Sequence, residues 1–268
     1  MITETPKTIL QALKELDQQN TFSLEIPSLQ KEVSFKQLST EQLKSILKTV
    51  VDSPIYNSQF ITTINKIIKE NCVSENINTE QFTIYDKILV IFKTRLESLS
   101  TEYIFNFTEE EQKQYSLPST KTINLQEHFD NFLKNKFVFL PTDIEYNSCK
   151  LTCHLPSLMT ENKLESELHK NIKIEVESTE ELREIVGETF INEITKYIEK
   201  LSIGDTTENL LNLQFKNRIK IVEQLPTNLI NKVLKFIENY REKTKKLITI
   251  SFAGLEKDIQ IDASFFNT

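Results

Sequence analysis

Apolar and polar residues alternate in the first well-patterned stretch of the chain. Phe22, Leu24 and Ile26 alternate with Ser23 and Glu25, Pro27-Ser28-Leu29-Gln30 interrupts, and Val33 and Phe35 resume the alternation against Glu32, Ser34 and Lys36. A period of two on both sides of a short break predicts a β-hairpin. The period then lengthens. Leu43, Ile46, Leu47, Val50 and Val51 fall at helical spacing behind Ser39, which stands three residues before Gln42 as a capping box requires, so a helix with one buried face follows. Ser53-Pro54 offers an N-cap and a first-turn proline to a second helix carrying Ile61, Ile64, Ile68 and Cys72. A third helix, from about Gln81 to Leu99, is apolar on most sides through Ile88, Leu89, Val90, Ile91 and Phe92. That pattern predicts a central, largely buried position.

Between about Ser100 and Asn171 the pattern is mixed. It is β-like at Tyr103 to Phe107 and at Phe137 to Leu155, helical near Leu125 to Leu133, and reads as a solvated link at Glu109-Glu110-Glu111-Gln112-Lys113-Gln114. Helical periodicity returns from Ser178, where Leu182, Ile185, Phe190, Ile194, Tyr197, Ile198 and Leu201 form one stripe ending near Gly204. Leu225-Pro226 opens another helix with Leu229, Ile230, Val233, Phe236, Ile237 and Tyr240. Ile248, Ile250 and Phe252 alternate before Ala253-Gly254, and Ile259 and Ile261 after it, which predicts a closing hairpin. The expected fold class is α+β, mainly helical with β-hairpins near both termini and a mixed, partly β central region. Three segments follow from these shifts: an N-terminal hairpin plus helical domain over 1–108, a mixed central region with β segments over 109–177, and a C-terminal helical domain closing in a hairpin over 178–268.

Composition removes several function classes. The chain of 268 residues has three glycines, and Gly187, Gly204 and Gly254 stand too far apart to build a phosphate-cradling loop, a dinucleotide fingerprint or a G-x-S-x-G elbow. Its three histidines include no i, i+4 pair, which removes H-E-x-x-H. Twenty-eight lysines against four arginines, with only three alanines, mark an AT-rich coding sequence, so the glycine shortage is partly a signature of the genome. A net charge of −7 argues against a dedicated nucleic-acid binder. Met1-Ile2-Thr3-Glu4-Thr5-Pro6 has no basic segment leading an apolar core, and no uncharged apolar run approaches the length of a membrane span, so neither a secretory signal nor a span is expected. Three cysteines, an odd number, fit reduced thiols in a cytoplasm.

Candidate chemistry is sparse. Cys149, Cys153 and His154 lie close together, with His128 and His169 elsewhere, and raise the question of a zinc site. In an extended strand, however, Cys149, Leu151, Cys153 and Leu155 share one face and Lys150, Thr152 and His154 the other, so the thiols read as core groups. The acidic run Glu175-Val176-Glu177-Ser178-Thr179-Glu180-Glu181 reads as a helix start, with Ser178 or Thr179 as cap and glutamates complementing the dipole. Asp86 and Arg95, nine residues apart on the third helix, lie on opposite faces and each need a partner from another element or another chain. Arginine stands out where lysine is the coding default, which suggests planar, bidentate work for some of Arg95, Arg183, Arg218 and Arg241. The segments Ile9-Leu10-Gln11-Ala12-Leu13 and Ala263-Ser264-Phe265-Phe266 are apolar enough to dock within the chain or on another subunit. No catalytic, cofactor-binding or metal-ligating residue is expected.

The order Ile26-Pro27-Ser28, Glu32-Val33-Ser34-Phe35-Lys36-Gln37-Leu38, two helices, then Asp86 to Arg95 and Ser98 resembles the T4-type bacteriophage baseplate hub subunit family. Phe190 through Tyr197-Ile198, Arg218-Ile219-Lys220-Ile221-Val222-Glu223-Gln224-Leu225-Pro226 and the closing Ile259-Gln260-Ile261-Asp262-Ala263-Ser264-Phe265-Phe266 are similar to longer members of that family. Leu29-Gln30 stands where the family's hairpin turn usually has glycine. The resemblance implies a non-enzymatic structural or assembly component of a contractile phage tail baseplate, located in the virion and assembled in the host bacterial cytoplasm. Its implied partners are other baseplate and tail proteins, hub or wedge subunits, in multiple copies of a symmetric assembly, with no nucleic acid, small-molecule substrate or cofactor. Helical faces and terminal hairpins would supply the contacts. Two alternatives stay open: a transient tail assembly chaperone for the tape-measure or hub protein, absent from the mature virion, and a baseplate-associated hydrolase using paired carboxylates.

Overall fold

A computed structural model describes residues 8–9, 20–49, 58–135, 137–171 and 178–267. Among these the chain is α+β and mainly helical, as the periodicity predicts, with nine helices and ten short strands in small antiparallel sheets. It divides into two compact units. The first takes Met1–Thr79, Asp86–Asn135 and Leu247–Thr268, and the second takes Glu80–Tyr85 and Lys136–Lys246. The expected break after residue 108 therefore falls inside a unit, and the segment 178–268 is shared between both. A pattern read along the chain yields consecutive pieces and cannot register a chain end that returns to the beginning.

In the first unit, β1 (Thr21–Ile26) pairs with β2 (Lys31–Lys36), setting Phe22 opposite Phe35 and Leu24 opposite Val33 on a buried face. The intervening turn places Gln30 at φ 51, the left-handed region where a β-carbon costs roughly 1–2 kcal/mol. Ser39 and Gln42 form the expected capping box at the head of α1 (Thr40–Lys48), and α2 (Ser58–Asn71) buries Phe60, Ile64, Ile67 and Ile68. Val50, Val51 and the expected helix start at Ser53-Pro54 lie outside the described residues. From Asp86 onward, α3 (Ile84–Ser98) is buried on most of its sides, including Leu89, Val90, Ile91 and Phe92. The expected solvated link is instead a short exposed helix, α4 (Glu109–Tyr115), set between β3 (Glu102–Asn106) and β4 (Thr120–Asn124). Thr108 and Glu111 cap it reciprocally, a T-x-x-E spacing visible in the sequence. Lys257 ties it down by donating to Glu111 Oε2 at 2.8 Å and to the Asn106 carbonyl at 2.9 Å.

Helix α5 (Leu125–Leu133) falls where the pattern puts it and stacks Phe129 on Phe92, ring centroids 6.0 Å apart. The closing hairpin, β9 (Thr249–Phe252) and β10 (Leu255–Asp258), turns through Ala253 at φ 50 and Gly254 at φ 92. Positive φ at both central residues is what a type I′ turn demands. The chain then buries Ala263, Phe265 and Phe266 in a 3-10 turn within this unit.

The second unit is built on a four-stranded antiparallel sheet in the order β5 (Thr142–Tyr146), β6 (Cys149–Cys153), β7 (Ile198–Ile203), β8 (Thr206–Asn209). Four helices belong to it: α6 (Leu158–Asn171), α7 (Thr179–Thr195), α8 (Phe215–Glu223) and α9 (Thr227–Ile248) up to Lys246. The helical stripe expected to run to Leu201 stops at Thr195. Ile198 and Leu201 lie on β7, with Leu201 opposite Leu151 of β6. A local 3.6-residue pattern yields here because pairing with β6 satisfies the backbone while burying both side chains. By contrast α9 follows its pattern, with Leu229, Val233, Ile237 and Tyr240 buried.

Candidate functional site

Segments that are far apart in the sequence meet around α3 in the first unit. Asp86 is fully buried, and its Oδ1 accepts the Ser28 backbone N–H at 3.1 Å, which ties the β1–β2 turn to the head of the helix. One end of the adjoining strand is held in the same way, because the Leu38 N–H donates to Ser98 Oγ at 2.9 Å. Arg95, 2% exposed, donates from Nε to the Phe265 carbonyl at 2.6 Å and from its terminal nitrogens to the carbonyls of Ser100 and Glu102, the latter at 2.9 Å. Its guanidinium also lies 5.1 Å from the Phe265 ring centroid and 5.8 Å from that of Tyr103. Asp86 and Arg95 each take partners from other elements of the chain, among them the Ser28 N–H for Asp86 and the Phe265, Ser100 and Glu102 carbonyls for Arg95. Burial pushes the Arg95 pKa down, while three carbonyl acceptors satisfy the fork that a lysine lacks.

The second unit has its own polar centre. Lys196 at the end of α7 is buried and places Nζ 2.5 Å from Glu165 on α6 and 2.5 Å from Glu193. Burial opposes its charge, yet the Glu193 and Glu165 carboxylates prevail and hold its pKa above the ordinary lysine value. Beside it, the Tyr197 hydroxyl is pushed up to about 12 by burial and then by the Glu193 charge. Arg218 on α8 is fully buried and donates to Glu167 at 2.6 Å and to the Leu213 carbonyl at 3.3 Å. These contacts join α6 to the end of α7 and to α8. The i, i+3 pair Glu193 and Lys196 is visible in the sequence, whereas Glu165 reaches them only through folding.

The thiols behave as core groups. Cys149, Leu151 and Cys153 share the buried face of β6. Burial pushes Cys153 up to about 12, with a further push from the Asp143 charge, and burial also raises Cys149 and Cys72. A raised pKa keeps each thiol protonated near neutrality, where the thiolate is the nucleophile and the metal ligand. His154 follows the end of β6, its Nδ1 2.6 Å from the Leu155 carbonyl. His128 lies in the first unit, where Nε2 donates to the Leu247 carbonyl at 2.8 Å, and His169 lies on α6. Among the described residues no group of three or more His, Cys, Asp or Glu is placed to hold a metal ion.

The remaining candidates are distributed over the surface. Arg183 makes an exposed pair with Glu180 at 3.5 Å, a contact of small energetic weight, and Arg241 is exposed on α9. Helix α7 begins at Thr179, directly after Ser178, with Glu180 in its first turn, while Glu175-Val176-Glu177 lies outside the described residues. Ile9 is exposed and Leu10 to Leu13 lie outside the described residues, whereas Ala263 to Phe266 pack inside the first unit. Phe190, expected on a buried stripe, is exposed beside Val186 on the outer face of α7, because the inner face is taken by Ile191, Asn192, Ile194 and Thr195. No described helix is long and apolar enough to cross a membrane. Comparison with protein-family models, curated proteins and solved structures finds no match to this chain.

Proposed function

We propose that the chain is a non-enzymatic structural or assembly component of a contractile phage tail baseplate, a hub subunit working through protein contacts in the virion. The observation that carries this reading is the convergence around α3. Ile26-Pro27-Ser28, Leu38, Asp86 to Arg95, Ser98 and the closing Phe265 bear the resemblance, and they are joined by the Ser28–Asp86, Leu38–Ser98 and Phe265–Arg95 hydrogen bonds. Residues so used specify an interlocked scaffold, which is what a subunit of a load-bearing assembly needs. Further support comes from the polar groups themselves: Arg95, Lys196 and Arg218 are engaged in contacts between elements, and the three thiols are held protonated.

Quantitative mass spectrometry of purified phage particles tests the proposal. A fixed stoichiometric copy number in tails, together with baseplates that fail to assemble when the gene is interrupted, is the expected result. Tails that require the chain yet lack it once mature would make it an assembly chaperone instead. Normal particles without it, or hydrolysis of host envelope by the purified protein that is lost on substituting a paired glutamate, would overturn the reading.

A further inference from the structure

Helix α7 is seated on its neighbours through a face that leaves polar groups unsatisfied. Ile185 and Ile191 pack against a cluster made by Leu168 on α6 with Phe215 and Ile219 on α8. Ile185, Thr189 and Asn192 fall at i, i+4 and i+7, so the three share that face. Asn192 is fully buried, and neither its Oδ1 nor its Nδ2 has a hydrogen-bond partner; the buried Thr189 Oγ1 has none either. Polar groups close by are satisfied: Thr195 Oγ1 donates to the Ile191 carbonyl at 2.7 Å, and Lys196 Nζ lies 2.5 Å from Glu165. A carboxamide sealed from water without partners forfeits the hydrogen bonds that water gives it when the face is open.

A second weakness lies on the outer side of the same helix. Gly187 is exposed in the helix interior, and a β-carbon there would meet nothing within 4 Å. Packing therefore gives no reason for glycine, which weakens a helix interior relative to alanine. The end of α7 is anchored by contrast, because Lys196 pairs with Glu165 of α6 and the Tyr197 carbonyl accepts the His154 N–H at 2.9 Å just beyond β6. We propose that α7 is a lid, hinged at Lys196 and Tyr197, that lifts from α6 and α8 while the four-stranded sheet and α9 stay folded. Lifting hydrates the Asn192 amide and the Thr189 hydroxyl and uncovers Leu168, Phe215 and Ile219. Opening therefore costs less than it would for a helix seated by apolar groups alone, which places α7 at the low-stability end from which moving elements are drawn. The lid does not depend on the baseplate reading, because opening is a property of the isolated chain and incorporation into particles is a separate measurement.

Native-state hydrogen exchange of the full-length protein, followed amide by amide through a series of low urea concentrations, tests the lid. A helix of this length lifted into water is marginal, so its amides exchange once it lifts. After correction for intrinsic rates, the amides of Thr189 to Asn192 should exchange about tenfold or more faster than those of Val233 to Tyr240 in α9, and with a weaker urea dependence because less surface opens. Asn192→Leu removes the unpartnered groups at similar volume and should slow α7 exchange about tenfold or more while leaving α9 unchanged. Gly187→Ala should slow it about fourfold to fivefold. The thiol introduced by Ile219→Cys lies under the lid, so a maleimide should label it in the folded protein faster than it labels Cys153, and adding Asn192→Leu should slow that labelling. The proposal is overturned if α7 and α9 share one exchange rate and one urea slope, if either Asn192→Leu or Gly187→Ala leaves the α7 rates unchanged, or if the thiol introduced by Ile219→Cys is labelled no faster than Cys153.

Discussion

Replacing Arg95 by lysine should loosen the carboxy-terminal segment from the first unit even though the charge is kept. The arginine fork serves three carbonyls from two directions, Phe265 on one side and Ser100 and Glu102 on the other. A lysine ammonium in the same space has no planar fork and reaches fewer of them. Hydrogen bonds to a charged group contribute about 1.5–3 kcal/mol each, so losing one or two puts the expected cost of Arg95→Lys at about 1.5–6 kcal/mol. Arg95→Met, which leaves all three acceptors without the guanidinium, should cost more than Arg95→Lys. Against a typical domain stability of about 5–15 kcal/mol either loss is large. Urea denaturation followed by circular dichroism and tyrosine emission, the chain having no tryptophan, should show a midpoint lowered by about 1 M or more. Hydrogen exchange locates the effect. The amides of Ser264, Phe265 and Asn267, which bond to Asp262 and Ser264 in the last turn, should lose protection in both variants. An Arg95→Lys protein within about 0.5 kcal/mol of the wild type, with those amides still protected, would refute the view that the fork anchors the chain end.

Three further outcomes are expected. Gln30→Gly at the β1–β2 turn removes a β-carbon from φ 51, and relief of about 1–2 kcal/mol outweighs glycine's entropic cost of about 0.5–1 kcal/mol, so thermal melting should shift upward by a few degrees; an unchanged or lower midpoint would contradict this. Cys153 and Tyr197 have folded-state pKa values of about 12, above their ordinary 9.0 and 10.0, so the stability they contribute is fully present below pH 9.0 and is lost as pH rises toward about 12. Urea midpoints of the second unit should fall across that alkaline window, and Cys153→Ala should flatten the lower part of the fall. A maleimide at neutral pH should label Cys153 only after unfolding, and fast labelling of the folded protein would show that the thiol is neither buried nor protonated.

Elements whose signals are local are legible in the residues alone. Alternation marked β1 and β2, the S-x-x-Q box marked the start of α1, and the run from Ile88 to Phe92 marked a buried α3, because capping and side-chain periodicity depend on neighbours within about one turn or one strand. The apolar face shared by Cys149, Leu151 and Cys153 was legible for the same reason. Long-range partners impose the rest. Ile198 and Leu201 satisfy a helical period but pair with β6, and Phe190 satisfies the same period but faces outward once α7 ends at Thr195. Arg95 could be recognised as an unusual arginine, yet its acceptors include a carbonyl 170 residues away, and Glu165 meets Lys196 across 31 residues. Spacing along a chain carries no information about such encounters. They arise when burial brings distant backbone and charged groups together and each must then find a partner, because an unpaired polar group away from water is costly.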